Sequence, residues 1–187
     1  MNQRASETGV LQGPVAQSFA VLTFRTNDQV YALPITAVRQ LIEMVAITPV
    51  PEAPPTIQGV INVHGKIVPV MDLRLRLGLP FKAYQLHTPI ILLQLNGRSL
   101  ALVVDEVETV IDVNLDDLQT DETVFEYSAN LQASYFSSFA KVNKQLIIII
   151  DADHLIGSQL ETRLAQVLPT KVNPVTKAET EKEWAGV

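Results

Sequence analysis

The sequence contains no cysteine. That removes disulfides, thiolate nucleophiles and cysteine metal sites together, and it suits a reducing compartment. Charge is scarce as well: only 18% of the 187 residues are Asp, Glu, Lys or Arg, and the net charge is −6. Lys and Arg nowhere gather into the stripe that a phosphate backbone requires, so nucleic acid is an unsuitable partner. Long apolar runs are missing too. A run such as Leu146 to Ile150 is far too short to span a bilayer, and no basic region followed by an apolar stretch marks a targeting segment. No membrane insertion and a cytoplasmic location are therefore expected.

Convergent catalytic groups are also lacking. The three histidines, His64, His87 and His154, sit in unrelated segments without a spacing such as i, i+4 that would bind one metal ion. No Gly-rich phosphate loop and no Gly-x-Ser-x-Gly elbow is present. Asp105, Glu106 and Glu108 lie close together in sequence, yet they fall in an element whose polar side is expected to face water, leaving no shifted acid/base pair. The expectation is a protein without catalysis and without a cofactor.

What the chain does have is a high apolar content, 47%, cut into short runs by turn residues. Phe19 to Phe24 and Val30 to Leu33 flank Thr26-Asn27-Asp28 and read as a hairpin. Gly59 to Val63 and Ile67 to Asp72 flank a turn at Gly65. Pro89 to Leu93 and Leu100 to Val104 flank Asn96-Gly97, a strong hairpin signal. Phe136 to Val142 and Gln145 to Ile150 flank Asn143-Lys144. After Pro34, the spacing of Val38, Leu41 and Ile42 predicts a short helix over 35–42. The proline-rich stretch 48–55 reads as a stiff extended loop. Residues 80–88 form a connector, and 114–133 are polar and acidic. Ser158 to Glu161 has capping-box spacing and predicts a helix over 158–168, ended by Pro169. Residues 1–17 read as a flexible leader and 169–187, with the lone Trp184, as a disordered tail.

Two blocks recur in order. Ala32 to Ile42 lines up with Ala101 to Ile111, and Ile67 to Asp72, closing on Gly78, lines up with Leu146 to Asp151, closing on Gly157. This suggests a duplicated β unit, although the identities are few and apolar strands also resemble one another by chance.

The run Gly59 to Arg74, with the proline-rich loop before it and Leu77-Gly78-Leu79-Pro80 after it, resembles the signature of the CheW family of chemotaxis coupling proteins. Val103-Val104-Asp105-Glu106-Val107 does so too, and the resemblance extends from about Phe19 to Gly157. It implies an all-β fold of two packed SH3-like five-stranded barrels, at about 18–85 and 86–157, with a short helix in each repeat and the C-terminal helix. It also implies a non-enzymatic adaptor that joins the cytoplasmic tip of a chemoreceptor to the regulatory domain of a CheA-type histidine kinase. Monomeric behaviour in isolation is expected, because surfaces reserved for other partners self-associate weakly.

Carried over position by position, the family's receptor-facing groove corresponds to Val38, Gln40, Gly59, Asn62, His64 and Gly65, with Val104 and Asp105 from the second unit. The valines would supply burial and the glycines close approach. Plain turn geometry would equally explain Gly59 and Gly65, and ordinary core would explain the valines. Kinase-contacting residues resemble the family only as barrel surfaces. The chain departs from the family at Gln40, where Glu is usual, at His64, where Arg is usual, and at Ser137 or Ser138, where a Gly is expected. Gln and neutral His can share at most an ordinary hydrogen bond in place of a charge-assisted one. A retuned pairing would suit an adaptor of a pathway other than flagellar motility. Two other readings stand beside the adaptor: a purine-binding module, since the family is sometimes described so, and a small β-barrel enzyme.

Overall fold

The computed structural model describes residues 17–95, 97–119 and 135–155. Among the described residues eleven strands build two sheets. In chain order they are β1 (Ser18–Thr26), β2 (Gln29–Pro34), β3 (Val38–Glu43), β4 (Ile57–Val63), β5 (Lys66–Asp72), β6 (Pro89–Leu95), β7 (Arg98–Val103), β8 (Glu106–Asn114), β9 (Leu118–Gln119), β10 (Phe136–Val142) and β11 (Gln145–Ile150). Helix α1 (Leu73–Arg76) follows β5, and α2 (Ala152–Leu155) follows β11. One sheet runs β8-β1-β2-β11-β10-β9 and the other β3-β6-β7-β5-β4. These are the two packed SH3-like barrels of the expected all-β fold, one of them carrying the two-residue β9 as a sixth strand.

The sheets are not the two halves of the sequence. Hairpin β1–β2 pairs with β8 and β11, whereas hairpin β6–β7 pairs with β3 and β5. A division at 18–85 and 86–157 therefore does not describe the barrels. After β2 the chain leaves one sheet through Pro34, which cannot donate to a ladder, and a single 3-10 turn at Ile35–Ala37. Past β7 it crosses back at Val104 and Asp105, whose N–H groups donate to Pro89 and Arg25.

The duplication is visible in the register. Val70 pairs with Ala101 in one sheet as Ile149 pairs with Ala32 in the other. Ile42 opposite Ile90 matches Ile111 opposite Val21. Even the Thr48–Val60 bridge has its counterpart in Gln119 opposite Phe139.

Burial follows from this exchange. Strands of an unbroken apolar run need apolar surroundings on both faces. Along β2, Val30 and Ala32 face the interior of one barrel, while Tyr31 and Leu33 face a core shared between the barrels. Along β6, Ile90 and Leu92 face the other barrel's interior, and Ile91 and Leu93 face the shared core. The exchanged hairpins are thus sandwiched between cores.

Most turns fall where expected. His64 and Gly65, and likewise Asn143 and Lys144, all have positive φ, as two-residue hairpin loops favour. Gly97 turns β6 into β7; Asn96 lies outside the described residues. The helix expected over 35–42 is a correction: only Ile35–Ala37 turns, and Val38–Glu43 is strand β3. A bulge between Val38 and Gln40 breaks the two-residue alternation, so the apolar spacing imitates a helix. The polar stretch from Asn114 begins with the end of β8, a 3-10 turn at Leu115–Asp117 and β9. The leader, the helix expected over 158–168 and the tail with Trp184 lie outside the described residues, apart from Gln17, whose carbonyl accepts from Leu115.

Candidate functional site

The eight residues singled out by sequence do not form one groove. Gln40 and His64 come together. Strands β3, β4, β5, β6 and β7 end around a depression of about 150 Å³ lined by Arg39, Gln40, His64 and Lys66 at the rim and by Val63, Val68, Leu92 and Leu93 beneath. This is the mouth of one barrel. Gln40 and His64 are both exposed there and share no hydrogen bond among the described residues.

Asn62 and Gly65 support that mouth. The Asn62 side-chain oxygen accepts from the Gly65 N–H at 2.8 Å, which holds the β4–β5 turn closed and keeps His64 at φ 50°. Gly65 serves turn geometry: a Cβ there would meet nothing within 4 Å, and its φ of 81° is the constraint.

Gly59 is a correction. It is buried, has φ 143°, and a Cβ on it would lie 2.2 Å from the carbonyl oxygen of Thr48. The residue admits the chain's own 47–48 segment, not an incoming helix. In the duplicated position stands Ser138, also buried, at the same bulge between strand partners. The family's missing glycine is therefore met here by a serine in the second repeat.

Val104 is a second correction, at 1% exposure within the shared core. Val38 is half-buried against the same core. Neither supplies a free apolar surface of any size.

Asp105 is a third. It faces neither open water nor the Gln40–His64 mouth, but lines a separate depression of about 100 Å³ with Arg74, Lys82 and Tyr84. Its carboxylate accepts from Arg74 at 2.7 Å and from the Asn27 N–H at 2.8 Å, with Lys82 at 3.9 Å. Glu108 is exposed, as expected, and pairs with Arg25 at 2.6 Å. Sequence reading missed Arg74 and Asp72. Buried Asp72 accepts from the Leu75 N–H, capping α1, and from the Tyr84 hydroxyl at 2.6 Å. Burial above all, then the hydrogen bond to the Asp72 carboxylate and its charge, pushes the Tyr84 phenol far above its usual range. Together with the Arg74 bond to the Pro80 carbonyl, these contacts strap the 80–88 connector over the seam between barrels. The only hint was the Asp-x-x spacing ahead of Leu75, an N-cap pattern.

Among the described residues no group of three or more His, Asp or Glu side chains could hold a metal ion, and no helix is long and apolar enough to cross a membrane.

Known proteins share this arrangement. The family model for the CheW-like domain matches residues 20–160. The chain is 27% identical to the chemotaxis protein CheW of Rhizobium meliloti over 139 residues, covering 74% of this chain and 88% of that protein. It is 29% identical to the CheW of Bacillus subtilis, covering 74% and 87%. The crystal structure of the scaffolding protein TtCheW from Thermoanaerobacter tengcongensis superposes with a TM-score of 0.69 at 28% identity, covering 77% of this chain and 96% of that one. Its paired, strand-exchanged barrels are both spanned by the match to the family model, and the chain belongs to the CheW-like domain family.

Proposed function

We propose that this protein is a non-enzymatic adaptor of bacterial chemosensory signalling, coupling the cytoplasmic tip of a chemoreceptor to the regulatory domain of a CheA-type histidine kinase. The relatives named chemotaxis protein CheW and scaffolding protein support the reading. One observation carries it at the level of surface. Leu41 and Val110 are 44% and 49% exposed, Ile67 and Leu146 are 52% and 50% exposed, and each pair occupies the same position in the two repeats. Large apolar side chains left outside at matching places, on an edge strand and beside a hairpin turn, suit docking against a homologous barrel at either end. The Gln40–His64 mouth is the receptor-side candidate, in a pathway other than flagellar motility. Alone, the protein is a monomer located in the cytoplasm.

Calorimetric titration of the purified chain into the regulatory domain of a CheA-type histidine kinase tests this. Micromolar or tighter binding, weakened by Leu41→Glu or Leu146→Glu, is expected. Heat with a purine nucleotide and none with the kinase domain would overturn the adaptor reading.

A further inference from the structure

The two barrel mouths are built alike and charged differently. In the first, the rim carries Arg39, His64 and Lys66. By the register of the repeats, the second mouth has Glu108 where the first has Arg39, Asn143 where it has His64 and Gln145 where it has Lys66. Lys144, in the place of Gly65, is the second turn's one cation. The second end is not without cations, since Arg25, Lys141 and Lys144 lie there, but its rim also holds the carboxylate of Glu108, paired with Arg25, and the first rim holds none.

The basic rim is also unneutralised. Among the described residues Arg39 reaches the Gln94 side-chain oxygen alone, at 3.5 Å. Its counterpart Glu108 is held by Arg25, the residue equivalent to Gln94. Among the described residues no carboxylate lies within ion-pair distance of Arg39, His64 or Lys66. Beneath the rim the floor is mostly apolar, with half-buried Val63 and nearly buried Val68 and Leu92 beside Ser99. An apolar floor under a cationic rim matches a side-chain pattern: an apolar residue seated in the depression with carboxylates reaching the rim.

We propose that this mouth docks an acidic helical segment of a protein partner, presenting glutamate or aspartate beside an aliphatic side chain, and that charge is what distinguishes this end from its pseudo-equivalent. The inference rests on the adaptor reading only in taking the partner to be a helix.

The test uses the full chain, isotopically labelled, with two helical peptides that share leucines and differ in carrying glutamate or lysine between them. The glutamate peptide is expected to shift amides over 39–42 and 62–68, the lysine peptide to leave them in place, and Arg39→Glu with Lys66→Glu to weaken binding about tenfold and flatten its salt dependence. Shifts over 108–111 and 141–146, no shifts at all, or equal shifts with inorganic phosphate would overturn the proposal. The chemoreceptor tip fragment is titrated in parallel. If that fragment fails to bind while the glutamate peptide maps to the mouth, the adaptor reading falls and the acidic-partner inference stands. Unchanged binding of the kinase regulatory domain by the doubly substituted chain confirms that the charge reversals leave the fold intact.

Discussion

Arg74 donates to Asp105 at 2.7 Å across the seam between the two barrels, and both side chains are largely withdrawn from water, 12% and 16% exposed. Asp105 stands where the chain crosses from one sheet to the other, and it also accepts the N–H of Asn27 in the β1–β2 turn. One carboxylate thus ties the exchanged hairpin to the α1 turn of the opposite barrel.

Removing that carboxylate leaves a mostly buried guanidinium and an orphaned N–H. Asp105→Ala is expected to cost about 2 kcal/mol, less than a fully buried pair because some water remains. Arg74→Met should cost less, since its aliphatic stem can still pack. Urea unfolding of both single variants and the double variant checks this, and the double should fall well short of the sum. Additive losses would show that the two residues act independently.

Gly59 and Gly65 separate two uses of glycine. Gly59→Ala sets a Cβ 2.2 Å from the Thr48 carbonyl oxygen, a contact that only displacement of the 47–48 backbone relieves. A loss of about 3 kcal/mol or more, or failure to fold, is expected. Gly65→Ala meets open space and should cost about 1 kcal/mol, from the positive φ alone. Thermal unfolding of the two proteins side by side tests the contrast, and equal losses would refute it.

How much of this was legible in the sequence depends on where the determining contacts lie. Apolar runs such as Ile90 to Leu93 in β6 and Leu100 to Val103 in β7 announce themselves because both faces are buried, and the His64-Gly65 and Asn143-Lys144 turns are set by local backbone needs. Strand β3 was misread because a bulge at an edge strand replaces alternation with the spacing of Val38, Leu41 and Ile42. The exchange of hairpins between barrels has no local signature, since β1 would read the same whichever sheet it joined. The same limit governs the site. Gln40 and His64 line one depression, but Val104, Gly59 and Asp105 owe their environments to the shared core, the 47–48 segment and Arg74. Those neighbours are distant in sequence.

Tyr84 gives a prediction in pH. Its phenol is pushed up from the ordinary value of 10.0, so the folded chain holds a proton that the unfolded chain releases. Its contribution is therefore complete below about pH 10 and is lost as the pH climbs above it. Tyr31 and Tyr135, both raised by burial, act in the same direction. Tyr84→Phe should cost about 1 kcal/mol at pH 8, through the unmade bond to Asp72, and should shrink the stability lost between pH 9 and pH 11 (roughly the span in which a free phenol ionises). Urea midpoints across that range measure it; an unchanged slope would show that Tyr84 does not carry the effect.

Gln40 and His64 face the same depression without a hydrogen bond between them. Installing Gln40→Glu together with His64→Arg places opposite charges across an exposed mouth, where a pair contributes about 0–1 kcal/mol to stability. Unfolding should hardly register the change. Recognition should, because Gln40→Glu sets a carboxylate beside Arg39 and Lys66, which have no carboxylate partner among the described residues. Affinity for the cognate receptor tip is expected to fall several-fold, and more at low salt than at high salt, as rim charges act chiefly on association. Single substitutions divide the effect: Gln40→Glu alone should weaken binding most, since it lowers the rim's positive charge without a compensating arginine. An affinity unchanged in all three variants would show that Gln40 and His64 take no part in choosing the receptor.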